Sequence, residues 1–382
     1  MADKQRIAII GAGIGGLALA GFLSRQGADV TIYEQAKEFQ RIGAGIQMSP
    51  NAMRVLRALG LEPQLRRQAF EPDAWLARVW DTGERLSELT FGAEANKRYG
   101  APYLLMHRGD LHAALFSAVP SELIAFDRKL VGLDRKAAGV TLRFADGGSV
   151  DADAVVGADG VHSLVREFLL GPEKPKFTGR VAHRTTFPAS LLDGFKVDTC
   201  TKWWGPDRHI VIYPVDARRQ EIYFVTSVPD PHWDVESWST RGEMGEVRQA
   251  LAGFHDDVQR LLNACPGVHK WALFERDPLP RWSEGPVALL GDACHPMTPY
   301  MAQGAANALE DAAVLSRCIA EIEDLAEAFK TYEATRLERT ARVQLTSRQN
   351  TWGKQSGDPS WVYGYNALET PLARPERAVA AG

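Results

Sequence analysis

Cysteine is scarce in this chain. Cys200, Cys265, Cys294 and Cys318 are spread over 382 residues with no CxxC spacing. That pattern excludes a disulfide framework and a local zinc site, and it points to free thiols in a reducing compartment. Long apolar runs are missing as well. No stretch reaches the roughly 18 residues that a spanning helix needs. A structured strand expected from about Arg6 leaves no room for a cleavable leader. Charge of one sign is not in excess: 44 Lys and Arg face 48 Asp and Glu, a formal net charge of -4. Nucleic-acid binding would need clustered Lys and Arg instead. Internal repeats are absent. These absences leave the expectation of a cytoplasmic globular protein, monomer or homodimer, with no membrane or nucleic-acid partner. With 45% hydrophobic residues the chain can fill a sizeable core.

What is present begins with "RIAII", residues 6–10, a short apolar run that reads as a buried strand. "GAGIGGLALAGFLSRQG" follows, with helix formers from Gly15 to Gln26 and a stopping Gly27. "DVTIYE" then reads as a second strand ending at Glu34. The spacing predicts a complete βαβ unit within about 30 residues. Its GxGxxG carries Gly11 for the tight turn, Gly13 for close approach to a pyrophosphate, and Gly16 for helix–strand packing. The helix N-terminus would face the phosphates and Glu34 the ribose hydroxyls. This signature alone does not separate NAD from FAD.

Two further motifs lie downstream. "AVVGADG" reads as a strand running into a glycine turn, with Asp159 and Gly160 ahead of a helix. "GDACHPMTPYMAQGAANALEDA", 291–312, sets Gly291 and Asp292 at the end of another buried strand. Asp292 could accept from a ribitol or ribose hydroxyl. The small run near Gly304 opens a helix whose free N–H groups can face an anion. His295 reads as a structural residue of this loop. The segment 50–65 reads as one helix, and 304–347 as one long helical stretch. Between 176 and 280 the texture turns β-rich. "HIVIYPVDARRQEIYFVTSVP" alternates around a polar turn and reads as an antiparallel hairpin.

The order GxGxxG, Asp-Gly, Gly-Asp resembles the single-component FAD-dependent aromatic hydroxylases, the para-hydroxybenzoate and salicylate hydroxylase group. The resemblance spans nearly the whole chain. It implies an α/β fold: a discontinuous Rossmann-like FAD-binding domain (1–72, 98–175 and 281–350), an inserted mixed or antiparallel β-sheet substrate domain (73–97 and 176–280) and a C-terminal helical segment (351–382), with a loose tail after about 372. It implies FAD as cofactor, NADH and O2 as co-substrates, and a small aromatic carboxylic acid as substrate. Carried over residue by residue, it sets Gly11, Gly13, Gly15, Gly16, Glu34, Gln35, Gln47, Arg108, Leu130, Asp159, Gly291, Asp292 and Gly304 around FAD.

"VAHRTTFP", "KWWGPDRHIVIYPV", "CHPMTPYMAQGA" and "DPSWVYGY" resemble more closely the nicotinate branch of that family. Its members hydroxylate the ring carbon bearing the carboxylate of 6-hydroxynicotinate and expel carbon dioxide, which leaves 2,5-dihydroxypyridine. By that resemblance His209, Cys200 and Tyr300 meet the substrate, and Gln47 and Tyr213 handle protons. The residues agree in part. Strand alternation puts His209, Val211 and Tyr213 on one face, about 13 Å end to end. Trp203 and Trp204 read as packing. In this branch a histidine is expected at Gln47, and one can stand at Tyr300. An amide cannot take up a proton near neutral pH. Three readings follow for Gln47: a native residue with Tyr213 doing the proton work, a replaced histidine in a slowed variant, or a hydrogen bond to the flavin chain or backbone only. A salicylate-type hydroxylase and a flavin-binding protein without turnover are the rivals, and a plain NAD dehydrogenase is a weaker one.

Overall fold

A computed structural model of the chain describes residues 5–41, 43–233 and 240–373. Most of the expected loose tail lies outside the described residues. The first layer is a six-stranded sheet. Its order is Ser283–Glu284, Val287–Leu289, Ala154–Gly157, Arg6–Ile10, Asp29–Tyr33, Ile124–Ala125. Arg6–Ile10 pairs in parallel with Asp29–Tyr33 and with Ala154–Gly157, and Ala154–Gly157 pairs in parallel with Val287–Leu289. All three expected phosphate-side motifs therefore leave the sheet at the same edge. Parallel strands are covered on both faces, which is why these runs are almost uniformly apolar. The helices Ile14–Arg25 and Gly304–Glu321 pack together on this sheet.

The second layer is an eight-stranded sheet. It runs Arg241–Gly242, Val268–Glu275, Lys176–Pro188, Glu221–Pro229, His209–Pro214, Cys200–Trp204, Ala74–Val79, Arg85–Thr90. The expected hairpin forms, with Tyr213 opposite Tyr223 and His209 opposite Ser227. Strands from two distant stretches of chain thus share one sheet, joined where Cys200–Trp204 pairs in parallel with Ala74–Val79. No helix among the described residues is long and apolar enough to cross a membrane.

Two helices expected as single pieces are broken. The stretch 50–65 splits into Pro50–Ala58 and Glu62–Gln68. Gly60 between them has a φ of +72° and Pro63 starts the second piece, so the chain turns there. The long stretch splits into Gly304–Glu321 and Leu325–Arg348. Ile322 is extended, and Asp324 caps the second helix by accepting from the Glu327 N–H at 2.9 Å.

Candidate active site

The two layers enclose one large cavity. Gly13, Gly15, Gln47, Arg108, His209, Tyr213, Gly291, Asp292, Tyr300 and Gly304, all singled out from the sequence, line it. Its first end is the turn after Ile10. Gly11 has a φ of +100°, and a Cβ there would sit 2.6 Å from the Ala158 carbonyl oxygen. Gly13 is the opposite case: a Cβ there would meet nothing within 4 Å. The space in front of the helix Ile14–Arg25 is open, and no side chain caps that helix. Bare N–H groups beside open space suit a pyrophosphate. Glu34 grips this turn from the neighbouring strand by accepting from the Ala12 and Ala36 N–H groups, each at 2.8 Å. Arg108 and Asp292 both line the cavity, close enough for each to feel the other's charge.

Not every expected cofactor residue opens onto this space. Gln35 is exposed beyond the turn, and Leu130 is buried at the start of the strand Leu130–Arg135. Asp159 turns its carboxylate to its own helix, accepting from Ser163 Oγ at 2.5 Å and from the N–H groups of Leu164 at 2.8 Å and Val165 at 3.1 Å. Its neighbour Gly160 lines the cavity. The aspartate shapes the turn, and the glycine presents it.

The far end is closed by the eight-stranded sheet and by residues from other segments. Gln47 sits in the strand Gly45–Met48, opposite Leu105. Its Oε1 accepts from the Tyr103 hydroxyl at 2.5 Å. Its Nε2 lies 3.9 Å from Cys200 Sγ, and the amide also bonds Tyr213. Gly45 permits this approach, because a Cβ there would meet Tyr223 at 2.4 Å and the Tyr213 oxygen at 2.8 Å. Burial pushes the Tyr213 phenol well above its ordinary range, against the opposing pull of Gln47 and Arg184. At neutral pH Tyr213 is therefore a hydrogen-bonding phenol and not a phenolate.

His209 packs edge-on to Tyr300, ring centroids 5.5 Å apart, and Tyr300 Oη is 3.0 Å from Ser227 Oγ. Burial, with Lys202 and Arg180 nearby, pushes His209 well below the usual imidazole range, so it is neutral. Cys200, expected against the substrate, is fully buried behind Gln47 and does not line the cavity. Burial raises its thiol well above the ordinary range, which removes any nucleophilic role.

Several cavity residues escaped the sequence reading. Tyr103 and Tyr363 pack against each other at 5.8 Å and come from segments 260 residues apart. Arg184 lies over the Trp271 ring at 3.9 Å, and burial lowers its guanidinium to about 10. Lys202 had a usable signal: it alternates with Cys200 and Trp204 and so shares their face.

His295 is structural. Cys294, His295 and Asp311 cluster closely enough to suggest a metal site. However, Asp311 already accepts from His295 Nε2, from the Gly291 N–H at 3.2 Å and from Arg336 at 2.8 Å. The Arg336 guanidinium stands where a cation's charge would be needed.

Residues 4–347 match the FAD binding domain family. The chain is 49% identical to a 6-hydroxynicotinate 3-monooxygenase of Bordetella bronchiseptica, covering all of both chains. It is 46% identical to one of Pseudomonas fluorescens, again covering all of both. Among solved structures, a salicylate hydroxylase substrate complex superposes with a TM-score of 0.83 at 26% identity, covering 96% of this chain and 97% of that one. Klebsiella pneumoniae HpxO complexed with FAD and uric acid superposes at 0.82 with 29% identity, covering 93% and 90%.

Proposed function

The chain belongs to the FAD binding domain family, and on that premise we propose that it hydroxylates 6-hydroxynicotinate at the carbon bearing the carboxylate and releases 2,5-dihydroxypyridine and carbon dioxide. The reaction consumes one NADH, one O2 and two protons per substrate anion and also yields NAD+ and water. The observation that carries this reading is one cavity with two unlike ends. The glycine turn and the Gly-Asp loop suit a dinucleotide, and the closed end lined by tyrosines and cations suits a flat acid. Full-length likeness to two 6-hydroxynicotinate 3-monooxygenases supports the choice of acid.

FAD supplies the oxygen chemistry, and this chain's residues position the ring and exclude water. Gly13, Arg108, Asp292 and Gly304 hold the cofactor. Residues 1–72, 98–175 and 281–350 serve as the FAD domain, and 73–97 with 176–280 roof the substrate. Tyr213, held by Gln47, bonds the ring oxygen para to the attacked carbon. His209 and Tyr300 close the opposite end. Gln47 is a bridge and not a base: an amide does not take up a proton near neutral pH, and its two ends engage Tyr103 on one side and Tyr213 and Cys200 on the other.

The test is product analysis with NADH and 6-hydroxynicotinate, alongside salicylate. Carbon dioxide and 2,5-dihydroxypyridine should appear in step with NADH loss. Product from salicylate alone would replace this reading with the salicylate-type one. Peroxide alone from both acids would leave a flavoprotein without coupled turnover.

Gln47 gives a pH prediction. His209 is neutral and Tyr213 protonated through this range, so neither should put a break in the parent's product formation at saturating substrate between pH 6 and 8. Gln47→His adds an imidazole titrating near about 6.5. A base must lose its proton to act, so the variant's rate should rise with pH through that value. A parent profile that already breaks there would show another group doing this work.

A further inference from the structure

Lys202 stands in the middle of the strand Cys200–Trp204 with its side chain on the cavity face, and only 2% of it is exposed. An ammonium brings three donors and a full charge. Its partners here are poor. Nζ lies 3.7 Å from the Trp204 ring centroid, 5.8 Å from that of Tyr300, and 3.5 Å from Asn350 Oδ1. Among the described residues, no carboxylate comes within ion-pair reach of it. Of the acids that line the cavity, Glu275 pairs with Arg348 at 3.1 Å, and Asp292 belongs to the cofactor loop. A buried cation without an anion weakens a fold. Aromatic faces offset part of that cost, and Lys202 is among the residues that line the cavity.

The register places this charge. Lys202 is opposite Val211, and Tyr213 is two residues further along that strand. Lys202 and Tyr213 are therefore diagonal neighbours, with backbones roughly 7–8 Å apart. An aromatic ring lying over this shared face would turn its oxygen towards Tyr213 and its acid group towards Lys202.

We propose that Lys202 is the seat of the substrate's ring carboxylate, the missing counter-ion of this buried ammonium. The inference rests on the aromatic-acid reading above, and it deepens that reading by naming the residue that selects for an acid. Burial holds the Lys202 ammonium well below its ordinary range. An arriving carboxylate favours the charged form and completes the pair.

The test uses the full-length, FAD-loaded protein and Lys202→Met. Each is titrated with 6-hydroxynicotinate and with 2-hydroxypyridine, the same ring without the acid, following the flavin absorbance. The expected result is a Kd for the acid raised on the order of 100-fold, with that for 2-hydroxypyridine changed less than about threefold. FAD content should be unchanged. The melting temperature should hold or rise, because an unpaired buried charge is gone. Equal weakening of both ligands, or no weakening of the acid, overturns the proposal and leaves Arg184 as the cation for the acid group. If the parent binds salicylate and not 6-hydroxynicotinate, the same ratio is measured with salicylate against phenol. The choice of substrate then fails, while Lys202 stands or falls on its own ratio. A parent flavin spectrum that answers to none of these ligands sinks both.

Discussion

Tyr213→Phe should lower the rate of hydroxylated product formation by about 100- to 1,000-fold while NADH oxidation continues and yields peroxide. The magnitude is that of one positioned proton-handling group. Tyr213 is only 2% exposed, tilts against Tyr223 with ring centroids 4.9 Å apart, and is bonded by the Gln47 amide. The phenylalanine ring fills the same space, so the fold loses one hydrogen bond, about 1 kcal/mol. What disappears is the hydroxyl at the closed end of the cavity. In the proposed arrangement the ring oxygen of the substrate then lacks a partner as charge builds in the ring, so oxygen transfer should slow while flavin reduction should not. Product and peroxide measured side by side decide the matter. A loss below tenfold in product, with coupling intact, would reduce Tyr213 to packing.

The second large effect concerns stability. Arg336 is fully buried and pairs with Glu310 and Asp311, each at 2.8 Å, and donates to Asn307 Oδ1 at 3.0 Å. Glu310 also takes Arg339 at 2.8 Å and Asn51 at 2.7 Å. Removing one partner from such a pair typically costs 3–5 kcal/mol, because a buried charge is left uncompensated. Arg336→Met should lose about that much in denaturant unfolding. It should also weaken FAD retention, since Asp311 holds the Gly291 N–H at the root of the loop proposed to hold FAD.

The pH dependence has a definite sign. Burial alone would raise both carboxyls, but their hydrogen-bonding and charged partners more than offset it. Arg339 and Arg336 hold Glu310 below its ordinary range, and His295 and Arg336 do the same for Asp311. Groups depressed in the folded state contribute stability that is present above the unfolded pKa and lost as pH falls through the folded one. In Arg336→Met that depression weakens, and a carboxyl can take up a proton more readily. The gap between parent and variant should therefore be widest at neutral pH and narrow towards about pH 4. A gap that stays constant with pH would mean that lost packing, and not charge, explains the variant.

Much of the geometry at the glycine-turn end of the cavity could be read from the chain alone. "GAGIGG" between an apolar run and a helix, Glu34 after the next strand, and "GD" at the end of a third strand each lie within a few residues. A phosphate turn is a local object: its geometry comes from adjacent backbone, and only glycine meets it. The hairpin 209–229 was legible for a similarly local reason, two runs of β-branched and aromatic residues about a polar turn, although both strands are buried almost throughout. Helix breaks were less legible. The apolar spacing continues through the turn at Gly60 and the extended Ile322, so periodicity passes over the local signals that break these helices, Gly60 with Pro63 and the Asp324 cap.

The closed end was decided by tertiary structure. Gln47 meets Tyr103 across 56 residues of chain and Cys200 across 153. Tyr363 reaches the same cluster from the C-terminal side, and Lys202 lies there with no carboxylate of the described residues in ion-pair reach. No local pattern encodes such convergence, because each side chain follows its own strand and only the pairing of distant strands brings them together. The amide in "GAGIQMSPNA" shows the division. The chain itself determined that residue 47 cannot carry a proton at neutral pH. The fold decided that its two ends would be held by Tyr103 on one side and by Tyr213 and Cys200 on the other.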